Sequence, residues 1–256
     1  MDVKNDNFLP VRVSMFDNLI ERRGIERGSS VLISGGCGVG KTIFGLQSAY
    51  TGALNNEKSV YISLAEDSEK IRKHAKSSFG WDIAAMEEKG LMRLIKMDPY
   101  ELANDINDIM RTSEDRRIVD MDLAEGPVSL IDSKKLKIPF KPDRIILDSL
   151  TALSSTFTDK NNYRFCVQAL IDSLNKHNSL NFLMSEVEQE PNTYVKSGAE
   201  EFLVDGVIAM YTLRRGQLRR NAIEIIKLRC SDHVREMVPY MITNEGIKLH
   251  IGEKII

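Results

Sequence analysis

Eight consecutive residues, Gly35-Gly36-Cys37-Gly38-Val39-Gly40-Lys41-Thr42, follow the spacing G-x-x-x-x-G-K-[ST]. Their types suit one task, holding a polyphosphate tail. Glycines let the backbone close into a tight concavity that a Cβ would obstruct. Successive main-chain N–H groups then converge on phosphate oxygens, and a helix N-terminus behind them adds partial positive charge. Lys41 has the reach for terminal phosphates, and the Thr42 hydroxyl is a hard oxygen ligand for Mg²⁺. Gly35, Gly36, Gly38, Val39, Gly40, Lys41, Thr42 and Ile43 are therefore the expected ATP-contacting stretch. An unliganded glycine-rich turn is the alternative, disfavoured by a strand pattern (VLIS) directly before the motif and a helical pattern directly after it.

Hydrolysis of a bound triphosphate would also need acids. Asp148 closes the apolar run Arg144-Ile145-Ile146-Leu147. A buried strand ending in a carboxylate near the phosphate loop places that charge beside the metal, so Thr42 and Asp148 are the expected Mg²⁺ pair. A second acidic pair, Glu66-Asp67, follows the run VYISLA. Functional ends of parallel strands lie at their C-termini, beside the ligand crevice, so Glu66, with Asp67 next to it, is placed to direct a water at the terminal phosphate. The competing role is structural, since acids also suit the first turn of a helix.

These residues need a scaffold. Apolar runs at 31–34, 59–64, 91–97, 144–148 and 180–185 have strand length, and amphipathic stretches at 42–54, 69–77, 100–110 and 163–176 have helical period. Their alternation predicts an α/β fold with a mainly parallel central sheet and helices on both faces, a P-loop domain by its phosphate motif. Closely spaced strand patterns at 206–213, 222–229, 238–243 and 246–251 predict antiparallel C-terminal strands that extend the sheet. No repeat or low-complexity linker divides the chain, so residues 1–256 are expected to form one domain. Residues 112–140, charged and containing two prolines, are too long for an ordinary connection and are expected to be a surface insertion.

Composition narrows the partners. Apolar residues make up 42% of the 256-residue chain and the formal net charge is −2, so bulk electrostatics favour neither nucleic acid nor an anionic membrane. The N-terminus lacks a signal-peptide pattern, no apolar run has the length to span a bilayer, and three scattered cysteines suit neither a disulfide framework nor a zinc site. A cytoplasmic location follows as the expectation. Arg214, Arg215, Arg219 and Arg220 form the one dense basic cluster, around an expected hairpin turn at Gly216. A solvated or inter-subunit turn is the favoured reading of it over DNA contact.

Together the phosphate loop, VYISLAED, SFGWD (78–82) and IILDSLTAL (145–153) resemble the KaiC branch of the RecA-like ATPases. So do GAEEFLVDGVI (198–208), IKLRCSDH (226–233) and PYMITNEGI (239–247). The similarity runs from about residue 11 to about residue 251. It implies a homo-hexameric ring with ATP at each subunit interface, acting on a protein partner that the sequence does not identify. Lys227 and Arg229 match the residues that reach a neighbour's γ-phosphate. Ser78 would contact the nucleotide from the home subunit, and Leu228, Ser231, His233 and Asn244 would approach base and ribose from the neighbour. Strand alternation adds a reason of its own: Ile223, Ile225, Lys227 and Arg229 would share one face that turns from apolar to cationic.

Three positions depart from the family pattern. Cys37 stands where the loop has proline, Cys230 where glycine follows the trans-acting arginine, and Asp67 where the pair is Glu-Glu. The last two bear on turnover rate more than on binding. A nucleotide-dependent scaffold with negligible hydrolysis and a RecA-like recombination factor remain the alternatives. The resemblance also admits autokinase activity, although no acceptor residue stands out.

Overall fold

The short apolar runs of the central strands are buried along nearly their whole length, as strands covered on both faces must be. The computed structural model describes residues 7–106, 136–187 and 200–253. Within them the strands are β1 (Phe8–Leu9), β2 (Ile25–Glu26), β3 (Ser30–Gly35), β4 (Ser59–Ser63), β5 (Met92–Lys96), β6 (Arg144–Asp148), β7 (Leu180–Glu186), β8 (Gly206–Arg215), β9 (Leu218–Leu228), β10 (Val238–Thr243) and β11 (Gly246–Leu249). The helices are α1 (Lys41–Leu54), α2 (Ser68–Phe79), α3 (Ile83–Glu88), α4 (99–106), α5 (Leu150–Ser154), α6 (Lys160–Asn175) and α7 (Glu200–Leu203).

The main sheet has the order β11-β10-β9-β8-β3-β7-β6-β4-β5, and β1 pairs with β2 apart from it. From β8 to β5 neighbours are parallel; from β8 to β11 they are antiparallel. The expected class therefore stands, a mostly parallel α/β sheet with antiparallel C-terminal strands. β3 lies at its centre, and its C-terminal end carries the phosphate loop into the crevice where such sheets bind ligands.

Side chains of period two sort onto two cores. Val31, Ile33, Tyr61, Ile146, Phe182 and Met184 pack with α1, α2, α3 and the segment 9–25. Leu32, Val60, Ile62, Ile145, Leu147 and Leu183 pack with α4, α5 and α6. Phe44 on α1 meets Phe16 and Phe182 edge to face, at ring centroid distances of 5.4 and 5.8 Å; each such pair adds about 1 kcal/mol beyond area burial. Where Gly52 brings α1 against β6, Arg144 is wholly buried and donates to the Val11 and Pro10 carbonyls, the Ser48 hydroxyl and Glu57.

Two expectations need adjustment. The face shared by Ile223, Ile225, Lys227 and Arg229 does not exist. Ile225 pairs with Ile208 but Lys227 pairs with Val207, so Ile226 is an extra residue, a β-bulge. The bulge reverses the alternation: Ile223 and Ile225 join the α1 core, while Val207 and Ile226 pack on the opposite one, the side to which Lys227 belongs. The C-terminal end of the expected surface insertion is attached to the core instead. Residues 112–135 lie outside the described residues, but Leu136 is buried and Ile138 and Phe140 pack on the α6 core. Of the helix expected at 100–110, residues 107–110 lie outside the described residues as well. The arginine cluster does flank a hairpin turn, with Arg214 opposite Arg219 and the turn at Gly216. Among the described residues no helix is long and apolar enough to cross a membrane.

Candidate functional site

Loop 35–40 leaves β3 and enters α1 through Gly40. That residue caps the helix with φ 101, a left-handed conformation that favours glycine. Gly35, Gly36 and Val39 are buried, Cys37 and Gly38 face solvent, and Ile43 packs on the α1 core. From β10, the Tyr240 hydroxyl donates to the Val39 carbonyl and pins the loop. The Lys41 ammonium donates to the carbonyls of Gly35 at 2.7 Å and Gly36 at 2.9 Å. Burial lowers its pKa, opposed by the charges of Glu186, Asp148 and Cys37. An anionic oxygen in the concavity would be a stronger partner for this ammonium than two neutral carbonyls.

Asp148 continues the parity of Ile146 and so faces α1. There its Oδ2 accepts hydrogen bonds from Thr42 Oγ1 and from the Tyr61 hydroxyl, each at 2.7 Å. Burial pushes the Tyr61 pKa far up, and the Asp148 charge adds to it, so Tyr61 remains a neutral donor. A hydroxyl and a carboxylate side by side are the hard oxygen donors that Mg²⁺ takes. They lie next to amides and a lysine suited to phosphate, so the chain's own donors fit the Mg²⁺–ATP pair.

Two acids flank this centre. Glu66 is half-buried. Its backbone is held by Ser63 Oγ, which accepts from Glu66 N and donates to Glu66 O. Its carboxylate lies 3.1 Å from Lys70 Nζ and 3.8 Å from His74 Nδ1. It is close enough to oppose ionisation of Tyr61. Asp67 has a different partner set: its Oδ1 accepts from Glu69 N at 2.9 Å and Lys70 N at 3.3 Å, capping α2. The helix-opening role accounts for this carboxylate, which corrects its expected place beside the water.

Lys227 and Arg229 are not near this centre. Gly35 lies level with Met210, whereas Leu228 pairs with Gly206, which lies level with Val31. The two cations therefore sit at the opposite end of the sheet, at least about 13 Å away along the strands. Lys227 Nζ donates to the carbonyls of Glu201 at 3.1 Å and Val204 at 2.7 Å. Arg229 Nη1 lies 3.0 Å from Asp205 Oδ1, with 58% of the arginine side chain exposed. Lys227, Leu228 and His233 line one surface cleft of about 470 Å³ with Glu224, Ile226 and Arg235, and Ser231 lies two residues before His233. Cys230 has φ 63, the left-handed conformation that explains why glycine suits this position.

Ser78 sits on α2, and Asn244 sits away from Leu228, Ser231 and His233. Ser78 is exposed near the end of α2, three residues before Trp81, which stacks on Tyr50 and Phe79 at 5.9 and 4.5 Å. Asn244 lies in the β10–β11 turn, and Gly246 of that turn abuts Trp81 and Gln47. Tyr240 pairs with Asn221, which precedes Leu228 by roughly 24 Å of strand. Asn244 is thus corrected from the group of Leu228, Ser231 and His233 to the home side, beside the Trp81 stack.

Sequence reasoning missed three residues. Tyr61 carried no local signal, because its partner is 87 positions away. Glu186 did carry one, since it ends the apolar β7 as Asp148 ends β6. Asp205 lay inside the quoted DGVI block without a role. A cleft of about 620 Å³ lined by Gly38 of the loop and by Arg219, Arg220, Tyr240 and Ile242 of β9 and β10 opens beside the phosphate loop.

Known proteins place this arrangement. The chain is 29% identical over 236 residues, 90% of its length, to the circadian clock oscillator protein KaiC of Parathermosynechococcus lividus. It is 28% identical over 236 residues, 91% of its length, to the KaiC of Synechococcus elongatus. It spans 40% and 42% of those two relatives. The crystal structure of a KaiC-like protein from the hyperthermophilic archaeon Pyrococcus horikoshii superposes with a TM-score of 0.74 at 24% identity, covering 95% of this chain and 98% of that one; at that identity the likeness shows the fold. The family model for the KaiC ATPase matches residues 9–254, and the chain belongs to that family.

Proposed function

We propose that the chain binds ATP with Mg²⁺ at residues 35–43 and hydrolyses it within a ring of identical chains, a hexamer by the family pattern, that acts on a protein partner. The observation that carries this reading is the convergence of Thr42, Asp148 and Lys41 at the end of β3. On binding, Lys41 exchanges the Gly35 and Gly36 carbonyls for phosphate oxygens. Mg²⁺, held by Thr42 with Asp148 behind it, would offset phosphate charge. Glu66 orients the attacking water and accepts its proton. Lys227 and Arg229, too far from the home loop, serve the neighbouring subunit's nucleotide and stabilise charge developing on the transferred phosphoryl group. Leu228, Ser231 and His233 accompany them across the interface, while Ser78 and Asn244 serve the home nucleotide near the Trp81 stack.

A second reading, a nucleotide-held scaffold with negligible turnover, is favoured by the ion pair of Glu66 with Lys70 and the capping role of Asp67. Phosphate release by the wild type and by Glu66→Gln, with light scattering of the same samples with and without ATP and Mg²⁺, separates the two. Hydrolysis predicts Mg²⁺-dependent release that falls in the variant, and a larger particle in ATP. Equal background rates in both contradict it and leave the scaffold.

A further inference from the structure

We propose that Asp205 is the positioning residue for Arg229, aiming the guanidinium that leaves this subunit for a neighbour's phosphate site. The inference rests on the trans reading above. Asp205 occupies the joint between α7 and β8, where it is clamped to the first residue of β3. Its N–H donates to the Ser30 carbonyl at 2.8 Å, and its Oδ2 accepts from Ser30 N at 3.0 Å. It holds Arg229 in the same double manner: the Asp205 carbonyl accepts from Arg229 N at 3.0 Å, and Oδ1 accepts from Arg229 Nη1 at 3.0 Å.

One carboxylate oxygen is thus enough for the fold, because Ser30 N needs a single acceptor. The second oxygen goes to the arginine. Contact at Nη1 engages one corner of a planar fork that carries five N–H donors, and most of the side chain still faces solvent. An arginine ordered in advance gives up less rotamer freedom when it meets a phosphate, and small misplacements of such a group are expensive in rate. Lys227 is anchored to the same joint through the Glu201 and Val204 carbonyls. Burial and the Arg229 charge lower the Lys227 pKa, and Asp205 and Glu201 oppose them. The span 201–205 therefore acts as one base for both cations. The arm on Arg229 is short, and its root is hydrogen-bonded to the strand that carries the phosphate loop at its other end.

Asp205→Asn tests this directly. The amide oxygen still accepts from Ser30 N, while an NH₂ group replaces the oxygen facing Arg229 and cannot pair with it. Turnover number, KM for ATP and the protein concentration at which ATP drives assembly are measured for the wild type, Asp205→Asn, Asp205→Glu, Arg229→Ala and the Asp205→Asn/Arg229→Ala double variant. We expect Asp205→Asn to lower kcat roughly ten- to hundredfold with KM little changed, and to move assembly to higher concentration. Asp205→Glu, which keeps the charge, should retain more of both. With Arg229 already removed, the Asn substitution should cost nothing further. Wild-type kcat and assembly in Asp205→Asn would overturn the proposal, and so would an equal loss in the Arg229→Ala background, the mark of a purely structural role. The Arg229→Ala variant by itself reports on the trans reading: if it keeps wild-type turnover and assembly, that reading fails whatever Asp205 does.

Discussion

The two ends of the central sheet are built differently. At the C-terminal ends of β3, β6 and β7, functional groups converge within one subunit and are largely buried. Lys41 is folded onto its own loop, Thr42 and Tyr61 share one oxygen of Asp148, and Tyr240 pins the loop from β10. At the other end Arg229 stands largely in solvent and Lys227 is half-buried, the two tied to carbonyls and one carboxylate. A preformed, buried cradle binds without help. An exposed arginine on a short tether becomes useful only against another surface. If the proposed function holds, binding rests on the cradle alone while turnover also needs the far end, and substitutions should separate the two.

The largest effect falls on turnover. Arg229→Ala should lower phosphate release roughly 1000-fold with ATP affinity nearly unchanged, read by steady-state assay and calorimetry; full activity would erase the distinction between the two ends. Lys41→Ala should do the reverse, weakening ATP binding by roughly 100-fold or more in a calorimetric titration, because it removes the cation of the cradle itself. Stability should separate buried from exposed pairing. Glu57→Ala leaves Arg144 charged and buried without its partner and should cost about 3–5 kcal/mol in urea unfolding. Arg229→Ala breaks an exposed pair and should cost under about 1 kcal/mol, so its loss of turnover would not reflect unfolding. Smallest of all, Cys230→Gly relieves a left-handed backbone at φ 63 and should raise stability by about 1 kcal/mol, with a matching shift in urea midpoint. No shift would mean the strain is absorbed elsewhere.

How much was legible in the sequence follows from how local each feature is. The phosphate loop is eight adjacent residues between a strand and a helix, so its position and the conformation of Gly40 could be anticipated. Asp148 was legible because it closes an apolar run of strand length. Glu186 satisfied the same pattern and was passed over. The bulge at Ile226 was invisible, since a regular strand is the assumption on which alternation rests, and it took Lys227 to the other face. Asp67 illustrates a residue whose two roles look alike in sequence; only the direction of its Oδ1 toward Glu69 N and Lys70 N separates them. Asn244 was grouped with Leu228 and His233 by resemblance, yet strand register sets it far from them. The register of distant strands is what sequence patterns carry least.

Whether one nucleotide site is made from two chains is tested most directly by mixing variants. Glu66→Gln subunits keep Arg229 but lack the carboxylate that orients the water, and Arg229→Ala subunits keep Glu66 but lack the trans cation. If the site is shared, co-assembled mixtures contain interfaces with both functional groups, and phosphate release should exceed the sum of the two variants alone. Mixed assemblies, verified by labelled subunits, that release no more phosphate than that sum would contradict a site completed by the neighbour.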